Sequence, residues 1–169
     1  GIRVSELAAP SVKRVTLELG GKSANIILDD ADVSRAATSA IYSCFGNSGQ
    51  ECSALTRLLI PEEFRDEVVD VIASKIGRYS VGDPMDGTSK CGPLVSRKQQ
   101  EIVSSYISSG IDDGATLVAG GEGVPDGLDS GFYVKPTVFA DVTPEMTIFR
   151  EEIFGPVLCI TTYSSEEEA

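Results

Sequence analysis

Short apolar runs alternate with amphipathic helical stretches along most of this chain, and that alternation constrains the fold more than any other feature. Residues 14–19 and 25–28 are rich in Val, Leu and Ile and flank a Gly20-Gly21 turn, so they read as two strands. Asp29-Asp30-Ala31-Asp32 then supplies carboxylates that can cap exposed amides, ahead of a helix over 33–45. Its Val33, Ala36, Ala37, Ala40, Ile41 and Cys44 fall on one face. Gly46 ends that helix and opens the loop Asn47-Ser48-Gly49. A strand over 56–60 stops at Pro61, helices follow over 64–78 and 96–110, and residues 116–118 form a further strand. The glycine-rich, acidic stretch 120–131 reads as an exposed loop, and 133–134, 137–139 and 157–163 complete the β-rich part. The pattern predicts an α/β fold: an open twisted, largely parallel sheet with helices on both faces.

Charge and composition exclude several functions. The 169 residues carry a formal net charge of −12 and no histidine. Nucleic-acid affinity rests on Lys and Arg displacing counterions, so this balance argues against a nucleic-acid partner. The longest apolar stretches, such as 68–73 and 153–160, fall far short of the roughly 20 residues a membrane helix requires. Cys44, Cys52, Cys91 and Cys159 show no C-x-x-C pairing and have no histidine to share a metal with, so no metal site is expected. Scattered thiols of this kind point to a reducing compartment, and a cytoplasmic location is the expectation.

Two short motifs carry chemistry. Glu18 stands in Val15-Thr16-Leu17-Glu18-Leu19-Gly20-Gly21-Lys22-Ser23, and Cys52 closes Gly46-Asn47-Ser48-Gly49-Gln50-Glu51-Cys52. A cysteine nucleophile needs thiolate character and access to substrate. Without histidine, Cys-His and Ser-His-Asp hydrolases and His-ligated metal sites are disfavoured. A thiol paired with a distant carboxylate suits a cycle in which the cysteine is acylated and a base-activated water releases the acid.

Both motifs, and the separation of 34 positions from Glu18 to Cys52, resemble the aldehyde dehydrogenase superfamily. A third stretch, Arg150-Glu151-Glu152-Ile153-Phe154-Gly155-Pro156-Val157, is similar to that family's cofactor-contacting Glu-x-Phe motif. The resemblance implies a catalytic domain of the aldehyde dehydrogenase type, with Cys52 as nucleophile and Glu18 as general base. It further implies NAD or NADP as cofactor, with Glu152 holding the ribose hydroxyls at its nicotinamide end and Phe154 packing near the ring. Gln99 matches a weaker cofactor-side position. The implied substrate is a small-molecule aldehyde, and the implied parent is a homo-dimer or homo-tetramer.

The same resemblance divides the chain. Residues 1–17 would be the end of the cofactor-binding domain and the crossover from it, and 18–169 an incomplete catalytic domain. Residues 1–9 read as the rest of a helix, and the run Glu166-Glu167-Glu168 as the start of another. The cofactor domain, the asparagine that shares the oxyanion with the Cys52 amide, and the oligomerisation strand would lie outside this chain, which would then be inactive alone. Two alternatives stay open from the residues: a non-catalytic structural piece, and a relative that passes the acyl group to coenzyme A. Glu18 counts against the second, since that chemistry avoids a hydrolytic base.

Overall fold

A parallel sheet buried on both faces needs apolar residues at consecutive strand positions, and β-rich segments of this chain supply them. The computed structural model describes residues 1–169. Its elements follow as α1 (Ile2–Ala8), β1 (Ala24–Ile26), α2 (Val33–Phe45), β2 (Arg57–Pro61), α3 (Arg65–Ile76), α4 (Arg97–Asp112), β3 (Thr116–Ala119), β4 (Thr137–Ala140), α5 (Thr147–Arg150) and β5 (Val157–Tyr163). The strands form one sheet in the order β1-β2-β5-β4-β3. The β1–β2, β2–β5 and β5–β4 pairings are parallel, and β3 is an antiparallel edge on β4.

Alternation along the central strands sorts side chains into two cores. Leu158 and Ile160 of β5, with Val138 and Ala140 of β4, pack on one face with Ala37, Ile41 and Phe45 of α2 and Val68 and Ile72 of α3. Val157 and Cys159 of β5, with Phe139 of β4, pack on the other face with Val103 and Ile107 of α4 and Ile148 of α5. Helices therefore cover both faces, as the pattern predicts. Each fully buried Val, Leu, Ile or Phe among these core residues stabilises the fold by about 1.5–3 kcal/mol relative to exposure.

Local chemistry sets where the helices start. The Asp32 carboxylate accepts the Arg35 amide at 2.9 Å and begins α2, and the Ser96 hydroxyl accepts the Gln99 amide at 3.2 Å and begins α4. Caps of this type contribute about 1 kcal/mol each. They also fix which residue occupies the first turn, and that places Gln99 beside the site.

Two expected strands do not form, and one element was not expected. Residues 14–19 make no strand: they run ahead of β1, pair with no neighbour and are largely exposed, so their apolar composition has no ladder to join. Tyr133 and Val134 are buried but unpaired, packing beneath α4 rather than extending the sheet. Glu166-Glu167-Glu168, read as a helix start, forms a single capped turn: the Ser165 hydroxyl accepts the Glu168 amide at 3.3 Å, the Glu168 carboxylate accepts the Ser164 amide at 2.8 Å, and the Ala169 amide donates to the Ser165 carbonyl at 3.1 Å. The single-turn helix α5 has no counterpart in the sequence reading, because four residues are too few to show a helical period.

Candidate active site

Three adjacent parallel strands, β1, β2 and β5, are each preceded by one of the motif loops. Gly20-Gly21 leads toward β1, Gly49 through Cys52 toward β2, and Glu152 through Gly155 toward β5. Because the strands run in the same direction, all three loops gather at the amino-terminal edge of the sheet. Open α/β sheets more often bind ligands beyond the carboxyl ends.

Contacts tie the loops together. The Gly21 amide donates to Glu152 Oε1 at 3.1 Å. A side chain on Gly20 would overlap the Glu152 carboxylate, and one on Gly21 would come within 3.1 Å of the Cys52 carbonyl oxygen. Glycine at both positions thus allows the Glu18 segment to lie between the other two loops.

The loop ahead of Cys52 is wound tightly. Asn47, Ser48 and Gly49 all adopt left-handed conformations, with φ of 48°, 58° and 72°. Such backbone persists only where its surroundings over-determine it. Here Asn47 Nδ2 donates to the Gln50 carbonyl at 3.2 Å, and Gln50 Nε2 donates back to the Asn47 carbonyl at 3.3 Å. Gln50 Oε1 accepts the Val95 amide at 2.9 Å, and the buried Ser48 hydroxyl donates to the Gly92 carbonyl at 2.9 Å. A side chain on Gly49 would overlap the Gly155 carbonyl. Cys52 emerges from this scaffold exposed, as a free thiol.

Glu152 and Phe154 lie on the neighbouring loop. Phe154 is 36% exposed, and its backbone is left-handed at φ 56°. Gln99 spends its side-chain amide on this loop, donating to the Ile153 carbonyl at 3.1 Å and the Phe154 carbonyl at 3.0 Å. Glu152 Oε2 takes no hydrogen bond within the chain. A free carboxylate oxygen beside an exposed, backbone-fixed aromatic ring fits the polar and flat parts of a nicotinamide riboside.

Glu18 is exposed and forms no hydrogen bond or ion pair, on an irregular segment and not at the end of a buried strand. The structure brings Gly21, Cys52 and Glu152 together and leaves the Glu18 carboxylate free in solvent. The other thiols are buried. Burial pushes Cys91 and Cys159 up to about 11, and Cys44 well above the ordinary thiol range. That leaves Cys52 as the one accessible thiol.

Residues not singled out from the sequence also shape this edge. Ser48 and Gln50 pin the thiol loop; both sit inside the Cys52 motif, but their partners in 92–95 are distant in sequence. Lys22, in the Glu18 motif, has its Nζ buried without a hydrogen-bond partner. Burial lowers its pKa and the Arg57 guanidinium lowers it further, while the Glu152 carboxylate pulls the other way. The Arg57 guanidinium stacks 5.0 Å from the Phe149 ring centroid, with its Nε buried and unpartnered.

The fold and these loops define an α/β domain that presents a single accessible thiol at the amino-terminal edge of its sheet. The aldehyde dehydrogenase family model matches residues 1–169, and the chain belongs to that family. It is 50% identical over its whole length to a 3-succinoylsemialdehyde-pyridine dehydrogenase from Pseudomonas sp., covering 35% of that protein. It is 44% identical over its whole length to a putative aldehyde dehydrogenase of Staphylococcus haemolyticus, covering 36%. A mutant of aldehyde dehydrogenase C from Pseudomonas syringae, in complex with NAD+ and octanal, superposes with a TM-score of 0.96 at 46% identity, over 99% of this chain and 34% of that one. The Mycobacterium tuberculosis aldehyde dehydrogenase complexed with NAD+ superposes at 0.93 with 49% identity, over 98% and 34%. The chain therefore spans about a third of the length of these relatives. No helix is long and apolar enough to cross a membrane.

Proposed function

We propose that this chain forms most of the catalytic domain of an NAD(P)-dependent aldehyde dehydrogenase, which oxidises an aldehyde to a carboxylic acid. Residues 1–17 close the cofactor-binding domain and cross over, and 18–169 belong to the catalytic domain. In keeping with that division, α1 buries none of its residues. The observation that carries the reading is the convergence of Gly21, Cys52 and Glu152 at one sheet edge, with Cys52 the only exposed thiol.

In this reading the Cys52 thiol gives its proton to solvent, and the thiolate attacks the aldehyde carbon, forming a C–S bond while the carbonyl oxygen gathers negative charge. The Cys52 backbone amide donates to that oxygen. NAD or NADP, when bound, would supply the hydride acceptor needed between this adduct and the Cys52 thioester. Glu152 and Phe154 hold and orient its nicotinamide end. Glu18 takes a proton from water, the water attacks the acyl carbon, and the C–S bond breaks to release the acid and the Cys52 thiolate, while Glu18 returns its proton to solvent. The exposure of Glu18 gives it room to swing toward Cys52 and to exchange its proton with solvent. The substrate is a small-molecule aldehyde, the parent a homo-dimer or homo-tetramer, and the compartment the cytoplasm, where the four free cysteines stay reduced.

Brief exposure of the chain to a limiting activated acyl ester at neutral pH, followed by peptide mapping, tests this without cofactor. Selective acylation at Cys52, absent in Cys52→Ser, with deacylation slowed in Glu18→Gln, is the expected result. Equal labelling of all four cysteines, or deacylation indifferent to Glu18, would overturn the assigned roles.

A further inference from the structure

The outer faces of α2 and α3 carry a cavity unrelated to the Cys52 edge. It encloses about 180 Å³ and is lined by Thr38, Tyr42, Lys75, Arg78, Tyr79 and Lys90. A shallower groove continues from it past Thr38 and Tyr42 to Arg35 and Ser39. Four of the fourteen Lys and Arg residues thus gather on one patch of a chain whose net charge is −12.

None of these four cations has a carboxylate partner; the ion pairs of the chain involve Arg3 and Arg65. Lys75 Nζ donates to the Thr38 hydroxyl at 2.7 Å, which in turn donates to the Ser34 carbonyl, and two ammonium hydrogens remain free. Lys90 Nζ sits 5.7 Å from the Tyr42 ring centroid and 5.4 Å from that of Tyr79. The two rings meet edge to face at 5.5 Å, and Tyr79 also meets Phe45, so the aromatic wall is anchored in the core. Asp32 lines the groove but not the cavity, and its Oδ1 accepts the Arg35 amide at 2.9 Å.

The ordinary role for Lys75 and Arg78 is to complement the carboxyl end of α3. Lys75 instead reaches across to Thr38 on α2, so the ammonium is displaced into the cavity. Unpaired cations bordering a concave, hydroxyl-lined space match the recognition of a compact polyvalent anion, and the planar Arg78 fork suits two oxygens of one group. We propose that this cavity is a binding site for a phosphate group of a small phosphorylated ligand, held by Lys75, Arg78 and Lys90 and flanked by Tyr42.

Titration calorimetry with inorganic pyrophosphate at roughly physiological ionic strength tests the site on the chain itself. One saturable site is expected, with affinity weakened about tenfold in Arg78→Gln and again in Lys90→Gln, and unchanged in Arg3→Gln. The chain contains no tryptophan, so a saturable change in tyrosine emission, lost in Tyr42→Leu, would report the same event independently of the charge variants. Absence of saturation, equal binding by all variants, or binding of citrate as tight as pyrophosphate would overturn the assignment.

Discussion

Gln99 holds Phe154 by its backbone and not by its ring: the side-chain amide donates to the Phe154 carbonyl at 3.0 Å, and to the Ile153 carbonyl at 3.1 Å. One amide thereby fixes the backbone of a left-handed residue that is 36% exposed on the loop before β5. Gln99→Leu keeps the size of the side chain and removes both bonds. It should destabilise the fold by about 1–3 kcal/mol, and hydrogen exchange should rise selectively across 151–156. If exchange there matches the unsubstituted chain, Gln99 is not what holds this loop.

The glycines separate backbone strain from steric overlap. Gly87 and Gly49 share a φ of 72°, but a side chain on Gly87 meets nothing within 4 Å, whereas one on Gly49 overlaps the Gly155 carbonyl. Gly87→Ala should cost only about 1 kcal/mol, the left-handed penalty alone. Gly49→Ala should cost at least about 2 kcal/mol more, because the loops before β2 and β5 must part. Urea unfolding of the two variants side by side checks this, and equal costs would mean the two loops do not press together.

Thiol exposure predicts a kinetic pattern. Cys52 is exposed and the other three cysteines are buried. An aromatic disulfide reagent should modify one thiol rapidly in the native chain, and Cys52→Ser should remove that phase. The remaining three should react at least about 10³-fold more slowly, at rates that track unfolding as denaturant is added. A second fast phase in Cys52→Ser would show that a buried cysteine opens locally.

Periodicity and turn residues made the sheet legible in the sequence: β2, β4, β5 and the helices α2, α3 and α4 fall within two residues of their expected bounds. Residues 14–19 misled because apolar composition reports the capacity to pair and not the presence of a partner; the ladder of β1 is on its other side, with β2. The glycines that let the site close were visible as Gly20-Gly21 and Gly49, but the reason for them was not, since it lies 131 residues away at Glu152 for Gly21. Gln50 and Gln99 act through backbone groups of Val95, Ile153 and Phe154. A backbone amide or carbonyl partner carries no sequence signature, so no motif could announce those bonds.

Buried thiols tie stability to alkaline pH. Burial raises Cys91 and Cys159 from the ordinary 9.0 to about 11, so between those values the folded chain keeps protons that the unfolded chain has lost. Stability is therefore fully present below about pH 9 and falls as pH climbs toward 11, with each thiol contributing a slope that approaches about 1.4 kcal/mol per pH unit. Cys44, raised well above the same starting value, adds to the slope in the same direction. Lysine and tyrosine titrations overlap this window, so the unsubstituted chain alone does not isolate the thiols. Cys159→Ala does: the substitution lowers stability at every pH through the lost packing, but it should flatten the urea-midpoint profile above pH 9 by one thiol's share. Cys52→Ser, which removes an exposed thiol, should leave that slope unchanged. Parallel profiles for Cys159→Ala and the unsubstituted chain would show that the Cys159 thiolate forms as readily in the folded core as in the unfolded chain.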